Sequence, residues 1–152
     1  MTPPNDFLSH HVAMLCRCHQ RWTGRSLIEP GLSRLQAARH VYTAPYALLS
    51  HDTRPDPVFT YANQTALTLF ELDWPTLLTL PSRFSAEPIN QAERQRLLDQ
   101  VSGKGYIDHY RGIRISRTGK RFWIENATVW NLLDDRGNPA GQAALFDRWQ
   151  FI

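Results

Sequence analysis

The first forty-four residues carry apolar side chains at helical spacing. Within 6–22, apolar and aromatic residues recur at steps of three and four, which places them on one face of a helix. Gly24 is expected to end this helix. A second helix with the same spacing is predicted over 32–42, and Pro45 ends it because the residue before a proline disfavours helix. We therefore expect a helical segment over residues 1–44.

Beyond residue 45 the pattern changes to short apolar runs separated by turn formers, which predicts strands and short helices. Asn63 stands where a helix begins, and its side chain is expected to cap that helix. Gly112, inside one predicted strand, indicates a bulge or a close approach of the backbone. The predicted strands cover 46–50, 58–62, 106–116, 121–133 and 141–149; the later helices begin near Asn63 and Trp74 and cover 91–101. This order indicates an α+β fold: an antiparallel five-stranded sheet with short helices on one face, preceded by the N-terminal helices.

Length and composition favour one folded core. The chain has 152 residues, of which 42% are hydrophobic and 11% aromatic, enough to fill a single domain over 45–152. No run approaches the ~18 apolar residues of a membrane span, and no signal peptide is recognisable, so we expect a cytoplasmic protein without a membrane partner. Cys16 and Cys18 are too close and too few for a disulfide scaffold or a zinc site, so no metal is expected.

The charge is unevenly distributed along the chain. The net charge is +3, and this excess belongs to the first forty residues, so the rest is neutral. A second basic concentration runs from Arg94 to Arg121, with Asp99 and Asp108 as its acidic members. Either it is a solvated strand face and hairpin, or it is an anion or nucleic-acid patch. Because the domain is neutral, we do not expect nucleic acid as a partner.

Four segments resemble a PAS domain when taken in order. Residues 57–66 (PVFTYANQTA) look like the second PAS strand and the Asn that opens the next helix, and 69–77 (LFELDWPTL) look like the following short helices. Residues 116–123 (SRTGKRFW) resemble the PAS hairpin, and 134–137 (DDRG) resemble the turn into the last strand. The resemblance implies a PAS-like sheet with a cavity under its helices.

A further set of segments carries a closer resemblance. These segments are 44–46 (APY), 49–52 (LSHD), 56–71, 80–88 (LPSRFSAEP), 105–108 (GYID), 112–116 (GIRIS) and 130–132 (WNL). Together they resemble the MEKHLA family, which is related to PAS. This family occurs as small bacterial proteins and at the C-terminus of certain plant homeodomain–leucine-zipper transcription factors. The chain looks like the small stand-alone bacterial form.

Strict alternation along 121–133 would place every second residue on the cavity side. The residues that share this face are Phe122, Ile124, Asn126, Thr128, Trp130 and Leu132. Candidate ligand-binding residues are Tyr61, Phe122, Ile124, Asn126, Thr128, Trp130 and Gln142. The polar members either contact a ligand or bond to the backbone, to each other or to water. The opposite face (Trp123, Glu125, Ala127, Val129) is expected to be covered by the N-terminal helices or by a second subunit, which makes a homodimer one expected arrangement.

The resemblance also bears on cofactors, and no cofactor is identified. Light-sensing PAS domains use a Cys to bond flavin, and Ser82 stands there, while Ile124 and Phe146 replace flavin-contacting amides. This argues against adduct-forming flavin. Covalent haem is disfavoured because Cys16-Arg17-Cys18-His19 lacks the attachment spacing. Of the six histidines, His51 is retained as a candidate, against the alternative of a surface turn.

These patterns support a sensory or small-molecule-binding module that is non-catalytic and signals through a partner or a dimer. One alternative is a protein-interaction or dimerisation module whose core is filled by side chains. Another is a small enzyme acting on an organic molecule in the cavity, although the sequence has no Gly-x-Ser-x-Gly, phosphate loop or His-Glu-x-x-His motif. An open cavity would favour binding, a filled core would favour interaction, and converging titratable groups would favour an enzyme.

Overall fold

The computed structural model describes residues 4–152, with side chains from residue 6 onward. The helices are α1 (Pro4–Thr23), α2 (Arg34–Tyr42), α3 (Gln64–Phe70), α4 (Trp74–Leu77) and α5 (Pro88–Lys104), with a 3₁₀ helix at Ser82–Ser85. The strands are β1 (Ala47–His51), β2 (Phe59–Ala62), β3 (Tyr106–Ile115), β4 (Arg121–Leu133), β5 (Pro139–Phe146) and β6 (Arg148–Phe151). Among these helices, none has both the length and the apolar character needed to cross a membrane.

All strand pairs in the sheet are antiparallel. The order is β2-β1-β5-β4-β3, and β6 pairs with the first part of β4. The predicted α+β class and antiparallel sheet are confirmed. The sequence suggested one closing strand over 141–149, whereas the structure divides this region into β5 and β6 around Asp147.

The sheet is covered on both faces. On one face, Leu97 and Val101 of α5 pack against Val129 of β4; we call this the cavity face. On the other, the ring of His19 in α1 lies 4.9 Å from that of Trp130, edge to face; we call this the α1 face. The N-terminal helix therefore takes part in the same core as the sheet.

Side chains of α1 bond directly to the backbone at the end of β4. Trp22 donates to the carbonyl of Asn131 at 2.9 Å, and Arg17 donates to that of Leu133 at 2.9 Å. The Cys18 sulfur accepts from the Leu133 amide at 3.3 Å. The pairing of β3 with β4 starts at Tyr106 and Trp130, so the backbone groups of Asn131 and Leu133 lie past the end of that pairing. Buried backbone groups need hydrogen-bond partners, and the side chains of α1 supply them where the pairing with β3 has ended.

Two bulges interrupt the pairing of β3 and β4. His109 (φ 58°) adds a residue to β3, and Asn126 (φ 52°) adds one to β4, so the pairing register shifts twice. Asn and His tolerate the left-handed region better than most residues. Their side chains meet on the surface, with 2.6 Å between His109 Nδ1 and Asn126 Oδ1. Because side chains alternate along a strand, each bulge turns the rest of that strand over.

The prediction that one face of β4 carries all the alternate residues is therefore wrong. Before the bulge, Ile124 lies on the cavity face. After it, Val129 takes that face, while Thr128 and Trp130 turn towards α1. The exposed Asn126 is itself the bulge residue.

Asn63 caps α3 as predicted, and it also joins this helix to two other elements. Its Oδ1 accepts from Ala66 N and Leu48 N, both at 3.1 Å. Its Nδ2 donates to the carbonyls of Val41 and Tyr46. The side chain is fully buried with all its hydrogen-bonding capacity used, so it fixes α2, β1 and α3 relative to one another.

Candidate functional site

A cavity of about 70 Å³ lies between the cavity face and α5. Its walls are largely apolar, and they come from β1, β3, β4, β5 and α5 together with Phe59 and Phe70. Its polar lining residues are Ser50, His51, Ser85, Arg94, Tyr110, Arg114 and Gln142. An apolar chamber with a few converging polar groups is the usual form of a small-molecule site.

The size of this cavity limits what it can hold. Its volume is about 70 Å³. Pockets that bind drug-sized ligands measure roughly 300–1,000 Å³. In this conformation only a compact molecule fits.

At one end of the cavity, His51 and Arg94 are bridged by the Ser82 hydroxyl. His51 Nδ1 lies 2.8 Å from Ser82 Oγ, and Arg94 Nη2 donates to the same oxygen at 2.7 Å. The other ring nitrogen, Nε2, lies 3.1 Å from Gln142 Oε1, which can only accept. His51 therefore carries its proton on Nε2, and Nδ1 accepts from Ser82.

Local structure explains how these side chains meet. His51 ends β1 beside a register shift and pairs directly with Gln142 on β5. The amide nitrogen of Gln142 donates to Leu98 O at 3.2 Å and to Asn131 Oδ1 at 3.1 Å, which fixes its orientation. Ser82 opens the 3₁₀ helix and is fully buried.

Burial determines the charge state of both titratable groups. Burial, with the positive charge of Arg94 as a smaller cause, lowers the pKa of His51 to about 4. Burial, reinforced by neighbouring Arg114, lowers the pKa of Arg94 to about 10. At neutral pH the imidazole is therefore neutral and the guanidinium charged.

The pairing of Ser82 with His51 does not form a nucleophile and its base. Ser82 has no exposed surface, and its oxygen already accepts from Arg94. The second nitrogen of His51 faces an amide rather than a carboxylate, and a pKa near 4 makes the ring a weak base. Within residues 6–152, no three His, Cys, Asp or Glu side chains are grouped to hold a metal ion.

At the other end, Tyr110 and Arg114 form a second polar group. The Arg114 guanidinium donates to the Tyr110 hydroxyl at 3.1 Å and to the Ile113 carbonyl at 2.8 Å. Tyr110 in turn donates to Glu93 Oε2 at 2.8 Å. A Cβ at Gly112 would collide with the Tyr110 hydroxyl, so the close approach predicted there is present.

The structure separates the residues predicted to line the pocket. Ile124 and Gln142 do line the cavity. Phe122 lies on the same face, with its ring 5.2 Å from that of Phe70. The remaining four lie elsewhere: Tyr61, Thr128 and Trp130 on the α1 face, and Asn126 on the surface.

The two polar residues assigned to the α1 face, Thr128 and Tyr61, have different surroundings. Thr128 donates to Asp108 at 2.6 Å, and Asp108 also binds both terminal nitrogens of Arg25. These bonds to Arg25 and Thr128 hold the pKa of Asp108 below its ordinary value. Tyr61 is fully buried between His11 and Trp74, and burial raises the pKa of its hydroxyl.

Sequence reasoning did not identify Arg94 or Arg114 as cavity residues. Both belong to the basic concentration interpreted as a solvated face or an anion patch, yet both are buried. A signal was present for Arg94, because it shares a helix face with Leu97 and Val101 at steps of three and four. His51, retained as a candidate, does line the cavity.

Comparison with known families and proteins gives one clear match. The model of the MEKHLA domain family matches residues 9–151. Homeobox-leucine zipper protein ATHB-14 of Arabidopsis thaliana is 31% identical over 103 residues, covering 66% of this chain and 12% of that protein. Homeobox-leucine zipper protein HOX32 of Oryza sativa subsp. indica is 24% identical over 156 residues, covering 99% of this chain and 18% of that protein. The chain thus spans less than a fifth of these relatives.

Solved structures agree on the fold. A PAS domain from Colwellia psychrerythraea has a TM-score of 0.64 at 14% identity, covering 77% of this chain and 94% of that one. An RNA-binding light-oxygen-voltage receptor has a TM-score of 0.63 at 19% identity, covering 79% of this chain and 33% of that one. At such identities the likeness establishes a PAS-like fold.

Proposed function

The chain belongs to the MEKHLA domain family, and on that premise we propose that it is a PAS-like sensory module that binds a compact small molecule. The observation that carries this proposal is the cavity under α5, whose apolar walls hold oriented polar side chains. Buried polar groups that point into a chamber specify the orientation of a ligand. The low pKa of His51 and the burial of Ser82 support a non-catalytic role.

We further propose that β4 couples the cavity to α1. This strand presents Ile124 and Val129 to the cavity side and Trp130 to α1. A displacement of the strand on the cavity side would therefore also move Trp130 against α1. Packed elements respond to strain as units because cores are close-packed. In this proposal residues 45–152 sense the ligand, and residues 1–44 transmit the signal to a partner.

Native mass spectrometry with an absorbance spectrum of the freshly purified protein tests ligand binding. A retained small molecule, or a rise in melting temperature with a panel of compact metabolites, is expected. The control is Ala144→Leu, because Ala144 lines the cavity and a larger side chain there fills it. If no compound stabilises the wild type beyond this variant, the proposal of a ligand-binding module is refuted.

A second candidate function is a dimerisation or interaction module, which the small cavity volume favours. The part of the sheet that α1 leaves open carries Trp123, with the Arg111 guanidinium stacked 3.6 Å from its ring centroid. A self-complementary contact there would give a homodimer. Light scattering across micromolar concentrations decides this, and a monomeric mass throughout would contradict it. The cytoplasmic location stays a prediction. The stand-alone bacterial form has no support from the relatives described above, which are plant proteins of which this chain spans less than a fifth.

A further inference from the structure

Two buried guanidinium groups line the cavity. The side chain of Arg94 comes from α5 and that of Arg114 from β3, and the residues are only 7% and 6% exposed. They are close enough for the charge of Arg114 to lower the pKa of Arg94. Placing two like charges together away from water is costly unless something compensates them.

No acidic side chain compensates them directly. Neither arginine forms an ion pair with a carboxylate among residues 6–152. The described lining of the cavity includes no Asp or Glu. Glu93 accepts a hydrogen bond from the Tyr110 hydroxyl at 2.8 Å, and Asp56, which pairs with Arg83, acts on the charge of Arg94 without forming an ion pair with it. Within this part of the chain, the cavity is therefore a positively charged chamber.

The hydrogen bonds of the two guanidinium groups use only some of their N–H donors. Arg94 gives Nη2 to Ser82, and Arg114 gives its terminal nitrogens to Ile113 and Tyr110. A guanidinium has five N–H donors in a fork that suits a carboxylate. Donors remain on both arginines for an anion in the cavity.

The rest of the lining selects among anions. Leu97, Ile124 and Val129 form apolar walls, which favour the hydrocarbon part of an organic acid over a fully hydrated inorganic ion. The volume of about 70 Å³ restricts that part to a few carbon atoms. His51 is neutral at pH 7, so the positive charge of the cavity comes from the two arginines.

We propose that this cavity is a receptor site for a short-chain organic monocarboxylate, whose carboxylate group lies between Arg94 and Arg114. The proposal rests on the proposed sensory function and names the ligand class of the same site. The bound carboxylate supplies a counter-charge in direct contact with the two arginines, which no Asp or Glu of the described lining provides. Affinity is expected in roughly the millimolar range, because so small a ligand offers few atoms for contact.

Thermal unfolding of the full chain at constant ionic strength tests this proposal. Sodium acetate and sodium propionate are compared with sodium chloride, sodium phosphate and the neutral isostere acetamide. Acetate and propionate should raise the melting temperature in a saturable way, while the other three leave it unchanged. Titration followed by NMR gives the dissociation constants.

Matched arginine variants identify the site. Arg114→Gln and Arg94→Gln should each weaken acetate binding by about tenfold or more, since a charged hydrogen bond to a buried group is lost. Arg111→Gln removes an exposed arginine from the same strand as Arg114 and should leave the affinity unchanged. Circular dichroism checks the fold of each variant, and if one misfolds, the wild-type comparison of acetate with acetamide decides alone.

The remaining outcomes separate the two proposals. Equal responses to acetate and chloride, or a response to phosphate alone, would overturn the carboxylate site. Binding of acetamide or of another neutral compound, without acetate, would overturn it while keeping the sensory function. Retained acetate binding in both buried-arginine variants would also overturn it. No response to any compound, with no molecule retained in native mass spectrometry, would remove both.

Discussion

The two faces of the sheet are both covered by helices, yet they are built differently. On the α1 face, Trp130 and Tyr61 are fully buried, and the helix bonds to the strand backbone through Trp22. On the cavity face, the space under α5 is shared by apolar side chains and by Arg94 and Arg114. An interface filled by side chains stabilises the fold, whereas a chamber with buried charge costs stability, which the proposed ligand would offset.

The largest effect is expected from Trp130→Ala. This fully buried ring contacts His19, so its loss leaves a void under α1 and should lower the free energy of unfolding by about 3–5 kcal/mol. Chemical denaturation measures the change. Trp149→Ala is the control, since Trp149 is only half-buried near the sheet edge. Equal losses in both variants would contradict the special role of the α1 face.

Acid should act on both faces through two neutral histidines. Burial lowers the pKa of His51, and burial with the nearby His10 lowers that of His11, each to about 4. The unfolded chain takes up protons near pH 6.5, so stability is lost as the pH falls from about 6.5 to 4. For His51 the loss is up to ~3 kcal/mol, and for the partly exposed His11 it is smaller.

Denaturation curves at several pH values test this linkage. His51→Gln and His11→Gln should each flatten the dependence between pH 6.5 and 4, because each removes one group that protonates only on unfolding. A pH profile that both variants leave unaltered would show that these histidines take up protons as readily in the folded state as in the unfolded chain.

Adjacent alanines on β5 compare the packing of the faces directly. Ala143 pairs with the fully buried Trp130 and is 2% exposed, whereas Ala144 pairs with Val129 and packs against the cluster of Leu97, Val101 and Val129. Both alanines border the cavity. Ala143→Leu should destabilise by about 1–3 kcal/mol through overpacking. Ala144→Leu should change stability by less than ~1 kcal/mol, since space exists for it. The reverse order, measured by urea denaturation, would mean that the cavity face is the tighter one.

The smallest effect is expected at the edge of the α1 face. Arg25 pairs with Asp108 through both terminal nitrogens, at 3.1 and 2.8 Å, but its side chain is half exposed. Arg25→Gln should therefore cost no more than ~1 kcal/mol, and less in high salt. A double-mutant cycle with Asp108→Asn measures the pair, and a coupling several times larger would place this contact in the core of the interface.

The order of helices and strands could be predicted from the sequence, because periodicity and turn residues report local structure directly. The helix ends predicted from Gly24, Asn63 and Pro45 lie close to the observed ones. The PAS-like order of strands followed from resemblance. The second role of Asn63, as a junction between elements, could not be predicted because its partners at Val41 and Tyr46 are distant in sequence.

Along β4, the assignment of side chains to faces failed at a single residue. Alternation holds from Phe122 to Ile124, but Asn126 in the left-handed region reverses it for Thr128 and beyond. Nothing in the neighbouring sequence marks that reversal, since the matching bulge at His109 lies on another strand. Ionisable residues were likewise assigned to the surface by type, and only the fold brings Arg94 and Arg114 together inside.

The bulges at His109 and Asn126 relate to each other as two compensating frameshifts do in a gene. Each adds one residue on opposite partners, so the strands come back into step, and only the stretch between them is offset. Deleting either residue alone would leave one strand permanently out of phase and turn its apolar side chains to the wrong face. Deleting both would restore the pairing register, but side chains that now face α1 would face the cavity, and side chains that now face the cavity would face α1. Length changes in this hairpin are therefore tolerable for the fold only in pairs, and even then they rewrite which side of the sheet does which task.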